Sequence, residues 1–216
     1  MGAEPAAPGK FITFEGIDGA GKSTQAAMLG RSLKDAGIDV LLTREPGGAP
    51  GAEKIRDLLV KGEVDKWAPM TEVLLHYAAR HEHLEHTVLP ALAAGRWVLS
   101  DRFADSTMAY QGFGHQLGRR TVAGLHRLIV GDFAPDLTVI LDVSVEEGLR
   151  RAAARSGAED RYERMPRTFH QRLRQGYLDI AERERNRCAV VDAGGGAESV
   201  REAVRRLVGE RMGVAL

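Results

Sequence analysis

The stretch Gly16-Ile17-Asp18-Gly19-Ala20-Gly21-Lys22-Ser23 decides how this chain is read. It has the spacing GxxxxGK[ST]. Glycines at these positions let the main chain curl so that its N–H groups can face phosphate oxygens. A helix starting near Lys22 adds the positive end of its dipole. Lys22 brings a mobile charge for β- and γ-phosphates, and the Ser23 hydroxyl is a ligand for Mg²⁺. The local context agrees. An apolar run, Lys10 to Glu15, precedes the loop as a strand, and a helical pattern follows from Lys22 to Ala36, with apolar positions at Ala26, Leu29 and Leu33 before Gly37 stops it.

Working outward, strands alternate with helices along the chain. Strands are expected at Ile38–Thr43, Trp97–Ser100, Leu137–Leu141 and Ala189–Val191. Helical periodicity is expected at Glu53–Val60, Met70–Ala94, Thr121–Val130, Val145–Ala154, Thr168–Glu184 and Glu198–Arg211. Pro90 predicts a break or kink inside the second of these helices. Pro46 to Gly51 forces a loop. The strands are continuous apolar runs, as in a parallel sheet covered by helices on both faces.

The bulk properties fit one domain over residues 10–216, with residues 1–9 a small, Pro-rich flexible tail. Thirty Lys and Arg balance thirty Asp and Glu among 216 residues, so the basic excess of a nucleic-acid binder is missing. No run has the length of a membrane span and the tail lacks the pattern of a signal peptide, which together predict a cytoplasmic protein. The single cysteine, Cys188, has no partner for a disulfide and lies in an apolar run, so it is expected in a buried strand. His76, His81, His83 and His86 share one helix and are expected to be solvated rather than a metal set.

Two further features carry chemistry. Asp101 ends the strand Trp97–Ser100, at the sheet edge where such folds bind ligands, and Arg102 follows it. Asp142 is a weaker rival for the acid near the metal, and Asp136 weaker still. Between Arg150 and Arg187 there are eleven arginines and six acids, in a chain that is neutral overall. Arg172 to Arg187 is expected to be a solvated helix face with i,i+4 pairs. Residues 150–163, interrupted by Ser156-Gly157, read as a lid whose guanidinium groups close over a transferring phosphoryl group and shut out water.

Together these residues resemble thymidylate kinases over nearly the whole chain. The resemblance is carried by Phe14 to Thr24, by Thr43-Arg44-Glu45-Pro46-Gly47-Gly48, by Tyr77-Ala78-Ala79-Arg80, by Asp101-Arg102-Phe103 with Ser106 to Gly112, and by Asp160-Arg161-Tyr162-Glu163. It implies a P-loop NTPase three-layer sandwich of nucleoside monophosphate kinase type, with a five-stranded parallel sheet. The implied reaction transfers the γ-phosphoryl of ATP to dTMP, giving dTDP and ADP for dTTP synthesis. Gly16, Ile17, Asp18, Gly19, Ala20, Gly21, Lys22, Ser23 and Thr24 would bind ATP, and Ser23 and Asp101 would hold Mg²⁺. Asp18, Arg44 and Arg102 would handle the acceptor phosphate. Arg80 would contact the pyrimidine, with Ser106, Thr107 and Gln111 at the base or sugar. Tyr110 would crowd the sugar's 2′ position, and Glu163, with Asp160, would approach the sugar or metal when the lid closes. His76 stands where the family often places a phenylalanine stacked on the base. Gly19 stands where some members have an arginine, so Arg151 and Arg155 of the lid, Arg155 foremost, are the implied catalytic arginines beside Lys22, Asp18 and Arg102. A homodimer is implied too, with no nucleic acid and no membrane as partners, and an adenine site near Asp192-Ala193-Gly194.

The nearest rival is a kinase for another nucleoside monophosphate or a deoxynucleoside. A regulatory GTPase would need an Asn-Lys-x-Asp tetrad, and the chain has no Asn-Lys pair. A non-catalytic nucleotide-binding module is disfavoured by Lys22, Arg102 and the lid arginines.

Overall fold

A computed structural model describes residues 9–154 and 161–216. β1 (Phe11–Glu15) is wholly buried and lies at the centre of a five-stranded sheet. Its neighbours are β3 (Trp97–Asp101) and β4 (Leu137–Asp142). β2 (Val40–Arg44) and β5 (Cys188–Asp192) form the edges, in the order β2-β3-β1-β4-β5. All pairings are parallel. The central strands are apolar runs because helices cover both their faces. Two of the polar exceptions are paired: the buried hydroxyls of Thr13 and Thr138 meet across β1 and β4 at 2.9 Å. Cys188 is buried in β5 as expected, and burial pushes its thiol up to about 12.

α1 (Lys22–Asp35) follows β1 and packs beside the C-terminal helix α9 (Ala197–Met212). α2 (Pro50–Val60) starts earlier than the periodicity predicts, because Pro50 fits the first helical turn, where its missing N–H costs nothing. The disturbance predicted at Pro90 takes the form of a wider turn just before it rather than a break. α3 (Pro69–His83) runs through a wider π-helical turn, Leu84–Val88, into α4 (Leu89–Ala93), where Pro90 sits in the first turn. The wide turn absorbs the disturbance that a proline ring causes in an α-helix.

The sequence periodicity missed one helical segment. α5 (Ala104–Thr107) continues into a second π-helical turn, Met108–Gly114, directly after β3. α6 (Arg119–Ile129) packs against α3, α7 (Val145–Ala153) follows β4, and α8 (Arg167–Arg183) lies along β4, β5 and the second π-helical turn. The Ser144 hydroxyl caps α7 by accepting from Glu147 N.

Parallel register brings the strand ends to one edge. Arg44 pairs with Asp101 across β2 and β3, and Phe14 with Asp101 across β1 and β3. Glu15, Arg44 and Asp101 therefore finish their strands together, where open α/β sheets hold ligands.

Candidate active site

A cleft of about 380 Å³ opens at this edge, and its walls come from the phosphate loop, β2, α3, β3, α5 with its π-helical turn, and Tyr162 and Glu163. Most of the residues singled out in the sequence line it: Asp18, Gly19, Gly21, Lys22, Ser23, Thr24, Arg44, His76, Arg80, Asp101, Arg102, Ser106, Thr107, Tyr110, Gln111 and Glu163. Ile17 and Ala20 turn their side chains into the core instead, which leaves the main chain of the loop to face the cleft. Gly16 and Gly19 have φ of 131° and 78°. A Cβ on Gly19 would sit 1.9 Å from the carbonyl oxygen of Gly148, so neither conformation nor space admits a side chain there.

Lys22 Nζ donates to the carbonyls of Gly16, at 3.1 Å, and Ile17, at 2.8 Å. Burial, and then the charge of Arg102, lower its pKa to about 8, against the pull of Asp18, Asp101 and Glu15. Ser23 Oγ donates to Asp101 Oδ2. A hydroxyl and a carboxylate oxygen side by side are hard donors of the kind Mg²⁺ takes when phosphates complete its shell, so these two residues fit the ion. The rival acids are engaged elsewhere: both Asp142 oxygens accept from Arg174 at 2.7 Å, and Asp136 accepts from Lys10 and Phe11 N.

Arg102 occupies the centre of a dense cluster. Its NH2 donates to Asp18 Oδ1 at 2.6 Å and to Tyr110 OH at 3.0 Å, while NH1 reaches Ser106 Oγ, Tyr177 OH and Gly16 O. Tyr110 OH donates to the other Asp18 oxygen at 2.8 Å. Burial raises the pKa of Asp18, but Arg102 and Lys22 outweigh it and the carboxylate ends below its usual range. Arg102 has a φ of 76°, a left-handed conformation rare outside glycine, and is held there although it is strained. Glu15 lies beneath, accepting from Phe103 N, Ser106 Oγ and Tyr177 OH. Burial, reinforced by Asp105, pushes its pKa up to about 7.

The far wall is built from α3. Arg80 is almost wholly buried. Its Nε donates to Glu45 at 2.8 Å, and its NH2 donates to Phe103 O and Thr107 Oγ1 at 3.0 Å each. Its remaining nitrogen, NH1, has no hydrogen-bond partner among the described residues. His83, expected to be solvated, is instead fully buried between Glu45, at 2.9 Å, and Thr43, at 2.7 Å. These partners come from the strand-end segment, so helix periodicity gave no sign of them. His76 also faces inward, with its Nε2 3.0 Å from Tyr162 OH, and burial lowers its pKa to about 4, which keeps the ring neutral. His81 and His86 are exposed as expected. Arg44, at the mouth, pairs with Glu53 at 3.1 Å.

Sequence reasoning missed Glu45, Glu72 and Tyr162. Glu72 is buried, accepts from Gln111 Nε2 at 2.8 Å and pairs with the buried Arg161. Arg161 also donates to the carbonyls of Leu59, Glu63 and Val64. It therefore ties α2 to α3 rather than serving as a mobile charge. The face Arg172–Arg187 is likewise less solvated than expected. Arg183 pairs with Asp179 four residues earlier, but Arg172 donates to Gly114 O, Arg174 to Asp142 and Arg187 to Asp105. Each of these is a tertiary contact. Arg151 lies apart from the cleft, donating to Glu147 and to the carbonyls of Ala193 and Gly194, in the turn where the adenine was expected. Arg155 and Asp160 lie outside the described residues.

Comparison with known proteins places this geometry in a family. The model of the family described as thymidylate kinase matches residues 14–204. The chain is 53% identical over 206 residues to the thymidylate kinase of Caulobacter vibrioides, covering 95% of this chain and 99% of that one. It is 50% identical over 200 residues to that of Ruegeria pomeroyi, covering 93% and 94%. The crystal structure of thymidylate kinase from Ehrlichia chaffeensis superposes with a TM-score of 0.76 at 35% identity, covering 94% of this chain and 99% of that one. A family model that spans most of the chain, and relatives about half identical over nearly its whole length, show that the chain is a member of the thymidylate kinase family.

Proposed function

We propose that the cleft seats ATP and dTMP end to end, with the acceptor phosphate at Arg102 and Asp18. As a thymidylate kinase, the chain transfers the γ-phosphoryl of ATP to dTMP, releasing dTDP and ADP. The observation that carries the residue roles is the position of Arg102, whose guanidinium lies within hydrogen-bond reach of Asp18, Ser106 and Tyr110 at the lip of the phosphate loop.

In this reading Lys22 releases the Gly16 and Ile17 carbonyls and donates to the β- and γ-phosphates. The loop amides bind the same oxygens. Ser23 and Asp101 hold Mg²⁺, which neutralises charge on the phosphates when bound. The dTMP phosphate is already ionised near neutral pH, so positioning and charge compensation supply most of the rate. Arg44 exchanges Glu53 for the acceptor phosphate. Arg80, through its free NH1, and Gln111 meet the base, with Thr107 beside them and His76 across its face. Tyr110 crowds the 2′ position, and Glu163 approaches the sugar. Arg155 and Arg151 are the lid donors, and Arg151 must leave the Ala193 and Gly194 carbonyls to serve.

The 150–163 lid belongs to one domain with the rest. A homodimer is part of the same reading, supported by exposed apolar side chains on adjoining helices: Leu58 of α2, Met70 and Leu74 of α3, and Leu128 of α6. A light-scattering mass of twice the chain tests it. A cytoplasmic location completes the reading. Among the described residues no helix is long and apolar enough to cross a membrane.

The deciding experiment is a coupled assay with Mg·ATP and dTMP, dUMP, dCMP or thymidine as acceptor. ADP formation that depends on dTMP and exceeds that with the others is expected. Equal or better turnover of another acceptor overturns the assignment of dTMP as preferred substrate.

A further inference from the structure

Among the described residues, two buried polar atoms on the cleft wall have no hydrogen-bond partner: Arg80 NH1 and Gln111 Oε1. One is a donor and the other an acceptor. Unpartnered polar atoms buried beside a cavity are costly unless a ligand satisfies them. Thymine and uracil offer the matching edge, a carbonyl acceptor beside the N3–H donor. Cytosine offers the inverse, an amino donor beside the N3 acceptor.

Glutamine is ambiguous, since turning its amide over exchanges acceptor for donor. The structure removes the ambiguity through a third residue. Gln111 Nε2 lies 2.8 Å from Glu72 Oε1, and an ionised carboxylate can only accept, so the nitrogen must face it and the oxygen must face the cleft. Glu72 is fully buried and cannot turn away. Its second oxygen is paired with Arg161, itself bound to three carbonyls at the end of α2 and beyond, and His115 Nε2 lies 3.3 Å from its first. Burial opposes the ionised form, but these partners and the nearby His76 hold the carboxyl down at about 2.

We propose that Glu72, which does not line the cleft, is a positioning residue for base specificity: by accepting from the Gln111 amide nitrogen it locks the amide oxygen toward the base, so the enzyme reads N3–H and rejects cytosine. The proposal rests on the base lying against Arg80 and Gln111.

The test is Glu72→Gln. The new side chain keeps the volume, and its oxygen takes over Arg161. Its nitrogen then faces Gln111 and forces that amide to turn, so a donor meets N3–H. The expected result is a fall of about tenfold in kcat/KM for dTMP with little or no fall for dCMP, and hence a selectivity ratio reduced by at least about tenfold. The double variant Glu72→Gln/Gln111→Glu restores an acceptor facing the base and a donor behind it, and should recover most of the dTMP selectivity. Equal losses for both acceptors in the single variant, or no recovery in the double, would mean that Glu72 serves folding alone. Wild-type enzyme gives a check independent of either variant's folding. The Gln111 side-chain amide protons should be protected from exchange both before and after dTMP binds, and fast exchange in both states overturns the proposal. Gln111→Leu separates the two levels. If it leaves the dTMP KM unchanged, the base is not at Gln111 at all. If it raises KM while Glu72→Gln preserves selectivity, the base position stands and the role of Glu72 falls.

Discussion

Glu45 and Arg80 form an ion pair of 2.8 Å in which the side chains are 4% and 2% exposed, and the carboxylate of this pair also holds His83. Burial alone would raise the Glu45 pKa, but Arg80 and His83 reverse the shift. Removing one member of such a pair leaves a buried charge uncompensated, which costs about 3–5 kcal/mol. Glu45→Ala should therefore lower the melting temperature by roughly 10 °C for a chain this size and raise the KM for dTMP by freeing Arg80. Glu45→Gln keeps an acceptor for Arg80, and the His83 ring can exchange tautomers to meet the new amide, so its melting point should fall much less. Calorimetry and steady-state assays of the two variants check this.

Lys22→Ala and Arg102→Ala should each reduce turnover by at least about a thousandfold, because each removes a charged donor from the path of the transferring group. Circular dichroism should show an unchanged fold. If either variant keeps a near wild-type rate, the assignment of the phosphate loop or of the acceptor site is wrong.

Lys22 gives the pH profile a definite sign. Its pKa is lowered to about 8, so the free enzyme loses the ammonium above that pH and kcat/KM for ATP should fall there. Bound triphosphate favours the charged amine, so the corresponding limb in kcat should lie higher. Stability runs the other way. An unfolded lysine keeps its proton to about 10.4, so between roughly pH 8 and 10.4 the unfolded chain binds the extra proton and folding gains as pH rises. Lys22→Met should abolish that gain in denaturation curves taken across the window.

Gly19→Ala should cost at least about tenfold in kcat/KM for ATP. The new Cβ collides with the Gly148 carbonyl, 1.9 Å away, at a φ that alanine disfavours, so the loop must move off its cradle geometry. Isothermal titration with ATP measures the loss directly.

The architecture was legible because the strands Phe11–Glu15, Trp97–Asp101 and Leu137–Asp142 are apolar runs with both faces covered, and the phosphate loop announces itself by spacing. What stayed hidden depends on partners distant in sequence. His83 looked solvated because Glu45 lies 38 residues away. Glu72 had no visible role because the amide that it orients belongs to Gln111, 39 residues on. Ala104–Gly114 showed no helical period because its inward positions face the cleft and carry polar groups, and because its turn is wider than that of an α-helix. The resemblance to a family pointed to Arg80 for the pyrimidine and to Gln111 for the base or sugar, while the residues that hold these two side chains in place needed the fold.

The wide turn Met108–Gly114 makes part of the cleft wall a matter of residue count. Tyr110 and Gln111 sit within it, one turn beyond Ser106 and Thr107, and all four face the cleft. Deleting a single residue there would tighten the segment to ordinary α-helical winding and shift Tyr110 and Gln111 around the helix axis relative to Ser106 and Thr107. Tyr110 would swing away from Asp18, and Gln111 from Glu72. Phe113 packs against Gly176 of α8, so the segment should tolerate a conservative exchange such as Phe113→Leu far better than any change in length.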